Sequence, residues 1–276
     1  MSQEIEGSIF DGQLLERMFD KQEAYMLKLF EREGMTEWPL LLNIKHNQKL
    51  INYTVDRGIT ELSEAFEVSQ ALAMAADKNQ LDDHPIDEMV KDFNLEMADI
   101  LHFFIETFVF VGITPHDMDK YYRELLSEQG LNDTYYFKGN TLKTILAFAR
   151  HQNIFEGYYK NDMINVNIMP QIDEQDPLTD SLYIAGRKAS MRRLIDQSSE
   201  LWMVTHSFKI ATNLLKMKPH RVSGPETDYS VFYDKIMGAW VRLFKYFDMV
   251  GATEYSLYEN YITKNEENIK RLKNEY

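Results

Sequence analysis

Apolar positions recur at intervals of three and four residues along most of the chain, which is the period of a helix with one buried face. Leu14, Met18, Tyr25, Leu29 and Phe30 predict a helix over 13–33, and further helical stretches are expected over 44–76 and 87–111. The polar segment DKNQLDDHPIDE, 77–88, reads as the loop between the last two. Gly112 is placed to close the third helix, with Thr114 as N-cap of the next and Pro115 at its first position. Helix is then expected over 116–128, 140–155, 181–217, 229–250 and 254–272, with Gly251 ending the one before last. Residues 161–180 keep no period and read as a long loop with a short extended piece, and 218–228 is another break. No segment alternates as a strand does, and only 12 Gly and 7 Pro punctuate the chain. The expectation is one all-α domain over 1–276, a helical bundle.

One stretch echoes another. HFFIETFVFVGITPHDMDKYY (102–122) and VRLFKYFDMVGATEYSLYENY (241–261) share an aromatic-rich helix, then V-G-x-T, then a helix that reaches a tyrosine. Two ordinary helix–Gly–helix corners would look the same. The alternative is a duplicated helical unit whose second copy lacks the acidic residues of the first.

Composition narrows the function. The chain has 276 residues, is 44% hydrophobic and contains no cysteine, so disulfides, iron–sulfur clusters and thiol catalysis are excluded. The net charge of −14 argues against a duplex-binding protein, which needs a basic face, although a local site for a small anion is compatible with it. The longest apolar stretch, 100–113, is broken by His102 and Glu106 and is too short to span a bilayer. The first residues, MSQEIEGSIFDGQ, have neither the basic region nor the apolar run of a signal peptide. A soluble protein of the cytoplasm is expected, with no membrane and no nucleic-acid partner.

The segment NLEMADILHFFIE, 94–106, is apolar yet carries Glu96, Asp99, His102 and Glu106. Upstream, ITELSEAFE (59–67) has Glu61 and Glu64 three residues apart, a spacing that Glu96 and Asp99 repeat. Most helical glutamates are solvated, and a solvated row usually has Lys or Arg three or four residues away. Glu64, Glu96 and Asp99 have none there; Glu61 alone has Arg57, in the less favourable order. Two helices with such pairs, joined by a polar loop, can pack antiparallel and gather four carboxylates. Four hard oxygen ligands suit Mg²⁺ or Mn²⁺, often shared with substrate phosphates. A di-iron carboxylate bundle needs Glu-x-x-His on two helices. The chain offers only Asp99-x-x-His102, so that reading fails and His102 reads as a core histidine.

E-x-x-E followed by E-x-x-D resembles the metal motif of the all-α nucleoside triphosphate pyrophosphatases, the MazG-like superfamily. Within it, EMADILHFF is similar to the E-x-x-D-x-x-H-F signature of the dimeric all-α dUTPases. YITKNEENIKRLKNEY, 261–276, resembles that family's Y-x-x-K-N-x-x-N-x-x-R-Q-x-x-G-Y segment, with Lys264, Asn265, Asn268, Arg271 and Tyr276 in place, Leu272 for Gln and Glu275 for Gly. LLKMKPHR, 214–221, resembles a basic segment before the family's later helices, and Gln22 stands where the family has a base-contacting Gln, with Met26 in place of its Asn. Two blocks depart from the pattern. No W-K follows E-x-x-E, where VSQALAMAADK stands and Lys78 is the first cation, and the phosphate-binding tail that commonly continues past G-Y is not present after Tyr276. These departures bear on the base more than on the phosphate chemistry, and phages carry variants of such enzymes.

The resemblance implies a Mg²⁺-dependent homodimer, in the cytoplasm of a cell or of a phage's host. It would hydrolyse dUTP, with dUDP as a further candidate, to dUMP by attack at the α-phosphate. Glu61, Glu64, Glu96 and Asp99 would hold the metal, and Glu61 or Glu64 would take the proton of the attacking water. Gln22, Phe103, Lys264, Asn265, Asn268 and Arg271 would bind the nucleotide; taken without the resemblance, each is more often a core or solvated residue. Two alternatives stand beside this: a pyrophosphatase for dCTP or a modified pyrimidine triphosphate, and a non-enzymatic acidic helical protein that binds a partner through exposed aromatics.

Overall fold

Eight helices and no strand are found among the residues that the computed structural model describes, which are 13–31, 34–35, 37–77, 86–130, 141–155, 198–216 and 226–274. They are α1 (Leu14–Phe30), α2 (Lys45–Asp77), α3 (Ile86–Val111), α4 (Pro115–Glu128), α5 (Thr141–Phe155), α6 (Ser198–Thr212), α7 (Tyr229–Met249) and α8 (Glu254–Asn274). The expected all-α bundle is present, and the helix ends fall within a few residues of those read from periodicity. The loop expected over 161–180, the helical stretch over 181–197, residues 78–85 and the break from 217 to 225 lie outside the described residues.

Helix α1 shows how pattern becomes packing. Leu14, Met18, Gln22, Met26 and Phe30 stand four apart and are all buried, so one stripe faces the core. Gln22 is the only polar member of that stripe. Helix α3 is the hub, with nearly every residue from Met97 to Val111 buried, as expected of a helix that is apolar all round. It runs parallel to α1, with Phe30 packed on Phe110 at 5.7 Å between ring centroids. It runs antiparallel to α2, where Thr54 meets Glu106 and Gly58 meets Phe104.

The two similar corners have the same construction. Gly112 and Gly251 take φ of 78° and 81°, a conformation that favours glycine. In each, the residue after the glycine donates back across the helix end, Ile113 to Phe108 at 3.0 Å and Ala252 to Phe247 at 2.9 Å. Thr114 caps α4 through Asp117, and Thr253 caps α8 through Ser256. The corresponding tyrosines, Tyr122 and Tyr261, are fully buried and donate to backbone carbonyls of Met237 and Met18 at 3.0 Å. Helix pairings repeat as well: α3 rests on α1 and α2 as α7 rests on α5 and α6, and α4 meets α5 as α8 meets α1. These features fit two units built on one plan. In the second, Lys235 and Gly238 stand where the first has Glu96 and Asp99, so the acidic site belongs to the first unit alone.

Candidate metal and nucleotide site

The antiparallel pairing of α2 and α3 brings the two acidic pairs together. One oxygen each from Glu61, Glu64 and Glu96 lies within 4.8 Å of the others, close enough to hold one cation. Glu61 is buried, Glu96 half-buried and Glu64 exposed, so the cluster opens on one side. Glu96 Oε2 is buried and has no hydrogen-bond partner in the structure. A buried carboxylate oxygen without a donor is costly, and a hard divalent cation would satisfy it. The donor set and that orphaned oxygen fit Mg²⁺ or Mn²⁺.

Electrostatics agree with the geometry. Burial pushes the Glu61 carboxyl up to about 7, helped by Glu64 and Asp99 and opposed by Arg57. Glu96 is raised by burial, then by Asp99 and Glu64. Asp99 is raised by burial and held back by its bond to Lys264. Without a metal, the carboxylates burden one another. Among the described residues two cations form ion pairs with the group: Arg57 lies 3.2 Å from Glu61, and Lys264 lies 2.6 Å from Asp99.

Asp99, the fourth expected ligand, is therefore engaged by Lys264 and stands apart from the trio. Lys264 arrives from α8, which lies antiparallel on α3 and joins it in two successive rungs. Tyr261 stacks on His102 at 4.1 Å and, three residues along each helix, Lys264 meets Asp99. Asn265 is 1% exposed with Nδ2 unpartnered, Asn268 is half-buried and Arg271 is exposed. Arg271 is near enough for its charge to lower the Asp99 pKa. The half-buried Phe103 ring lies beneath the Arg57 guanidinium, 5.4 Å from its centroid. Sequence spacing alone gave Arg57 little weight, yet it touches both Glu61 and the expected wall of the base pocket, Phe103.

Gln22, expected from the resemblance to contact the base, lies within a buried polar network. It is 1% exposed, and its amide is taken up by protein groups. Gln22 Nε2 donates to Glu106 at 3.3 Å, while Oε1 accepts from His102 Nδ1 at 2.8 Å and lies 2.8 Å from the Tyr261 hydroxyl. That hydroxyl also reaches the Met18 carbonyl, so its one proton is shared between two acceptors. Thr54 closes the far end of the network on Glu106 at 3.4 Å. Burial keeps His102 neutral, with its pKa down to about 3, and raises Glu106 to about 7 against the bonds from Thr54 and Gln22. His102 is thus the core histidine expected, one turn from the acidic face. The four titratable residues of the segment 94–106 divide accordingly: Glu96 and Asp99 lie on the acidic face, and His102 and Glu106 in the buried network. The network was legible only as Glu106 and Gln22 interrupting apolar stripes.

No single described helix is long and apolar enough to cross a membrane. Comparison with family models, with curated proteins and with solved structures gave no match.

Proposed function

We propose that the chain is a divalent-cation-dependent nucleoside triphosphate pyrophosphohydrolase of the dimeric all-α dUTPase type, converting dUTP, with dUDP as a further candidate, to dUMP. The observation that carries this reading is the convergence of Glu61, Glu64 and Glu96 within 4.8 Å, with Asp99 one turn from Glu96. It is the pairing that the E-x-x-E and E-x-x-D spacing requires. Mg²⁺ held there supplies charge neutralisation for the phosphates and a bound water of lowered pKa.

The chain's own residues do the rest. Glu61 or Glu64 would take the proton of the attacking water as general base. Lys264 and Arg271 supply positive charge from α8, and Arg57 supplies it from α2. Phe103 offers an aromatic face for sugar or base. Gln22, engaged within the core, contributes to base choice only if its hydrogen bonds are exchanged, so dCTP or a modified pyrimidine triphosphate is the companion substrate class. The working form is a homodimer in the cytoplasm, or in the host cytoplasm for a phage protein, with no nucleic-acid or membrane partner.

Exposed aromatics favour a second reading. Trp202 is 63% exposed and stacks on His206, and Tyr53 is 62% exposed. They fit a helical protein that acts by binding a partner. The two separate when purified chain is incubated with each common dNTP, dUTP and dUDP in Mg²⁺, with Glu96→Ala as control. Conversion to a monophosphate that is lost in the variant supports the enzyme. No turnover of any of them, with Mg²⁺ or Mn²⁺, favours the binding protein.

A further inference from the structure

The Lys264–Asp99 contact joins two groups that are expensive to bury singly. Lys264 is 9% exposed, its ammonium is 2.6 Å from Asp99, and each charge answers the desolvation of the other. Asp99 is nonetheless one turn from Glu96, and its charge is felt at both Glu61 and Glu96. Next to Lys264, the Asn265 side chain is buried and its Nδ2 has no acceptor. A buried donor left so is costly, and an incoming phosphate or carboxylate oxygen is the group that would satisfy it.

We propose that Lys264 is the resident counter-ion of Asp99 in the metal-free protein, and that a divalent cation takes its place while the freed ammonium passes to the triphosphate. This rests on the reading of the four carboxylates as a metal site. A lysine suits the exchange because its charge sits on a flexible four-carbon stem with freely rotating donors. Metal alone must displace the ammonium and leave it buried without a partner. Metal with triphosphate gives both charges partners. Cation and triphosphate therefore bind cooperatively, and linkage requires each to strengthen the other by the same factor. Lys264 is thus both the phosphate contact and the device that weakens the site's hold on metal until the triphosphate arrives.

Mn²⁺ binding, measured by calorimetry on the wild-type chain and on Lys264→Met, tests this with no turnover required. Lys264→Met is expected to bind Mn²⁺ about tenfold tighter than wild type without nucleotide. A non-hydrolysable α,β-imido deoxynucleoside triphosphate is expected to tighten Mn²⁺ binding in wild type and to do little in the variant. Equal or weaker Mn²⁺ binding by Lys264→Met overturns the exchange and leaves the metal site standing. No Mn²⁺ binding by either protein, with or without the nucleotide, overturns the metal reading itself. Should Lys264→Met fail to fold, the wild-type chain carries the test through acetylation of Lys264 by a water-soluble reagent, mapped by mass spectrometry. Labelling that rises when Mn²⁺ alone is added supports displacement, and unchanged protection overturns it.

Discussion

Gly58 on α2 faces the ring of Phe104 on α3 so closely that a β-carbon added there would stand 2.9 Å from it. The ring has little room to withdraw, because it is stacked on Phe208 at 3.8 Å and fully buried. This contact sets how near the two acidic helices approach, one turn from Glu61. Alanine in a helix interior normally gains about 1 kcal/mol over glycine, while overpacking costs about 1–3 kcal/mol. Gly58→Ala is therefore expected to lower stability in chemical denaturation and to weaken Mn²⁺ binding. A variant as stable as wild type, with unchanged Mn²⁺ affinity, would show that the spacing is not under this constraint.

Mutual repulsion among the carboxylates makes a prediction about sign. Glu96 is raised by burial and by three acidic neighbours, Asp99, Glu64 and Asp92, against the pull of Lys264, so its charge is a burden in the metal-free fold. Glu96→Gln should raise the melting temperature in the presence of a chelator and abolish the rise that Mg²⁺ produces in wild type. At a Mg²⁺ concentration of about a hundred times Kd, that rise corresponds to about 2.7 kcal/mol. Loss of stability in chelator together with a preserved Mg²⁺ effect would place the cation elsewhere.

Glu106 should impose a pH dependence. The groups that face it are Gln22 from α1 and Thr54 from α2, neither of which titrates, and Tyr261 from α8, whose pKa its charge raises. His102 joins through Gln22 and stays neutral. The folded pKa of about 7 lies above the ordinary 4.5, so the folded state holds the proton more tightly than the unfolded one. The stabilisation is complete below pH 4.5 and is lost as pH rises through 7. Glu106→Gln keeps the shape without the charge. The difference in unfolding free energy between variant and wild type should grow in the variant's favour across that window, reaching at most about 3 kcal/mol. Parallel stability curves for the two proteins would mean that Glu106 is ionised at little cost.

Much of the fold was legible because its elements are long, periodic and clearly ended. The Gly112–Thr114–Pro115 corner was readable residue by residue, since a positive-φ glycine, a capping box and a first-turn proline each leave a chemical mark. The acidic trio was legible from spacing and from the lack of nearby cations. What spacing could not give was the partner helix. Lys264 and Arg271, seven apart, look alike along α8, yet one is buried on Asp99 and the other is exposed, because the seam with α3 selects a narrow stripe. Gln22 was read from its family position as a base contact. Its place in the stripe Leu14, Met18, Gln22, Met26, Phe30 was the clue to its hydrogen bonds, since a polar residue in such a stripe must find partners inside the core.

The most direct test of the account is where the oxygen of the attacking water ends up. The purified chain would be incubated with dUTP and Mg²⁺ in water labelled with heavy oxygen, and the products weighed by mass spectrometry. The account predicts dUMP carrying one labelled oxygen and unlabelled pyrophosphate, which is attack at the α-phosphorus. Label in pyrophosphate, release of inorganic phosphate with dUDP, or no reaction would contradict it.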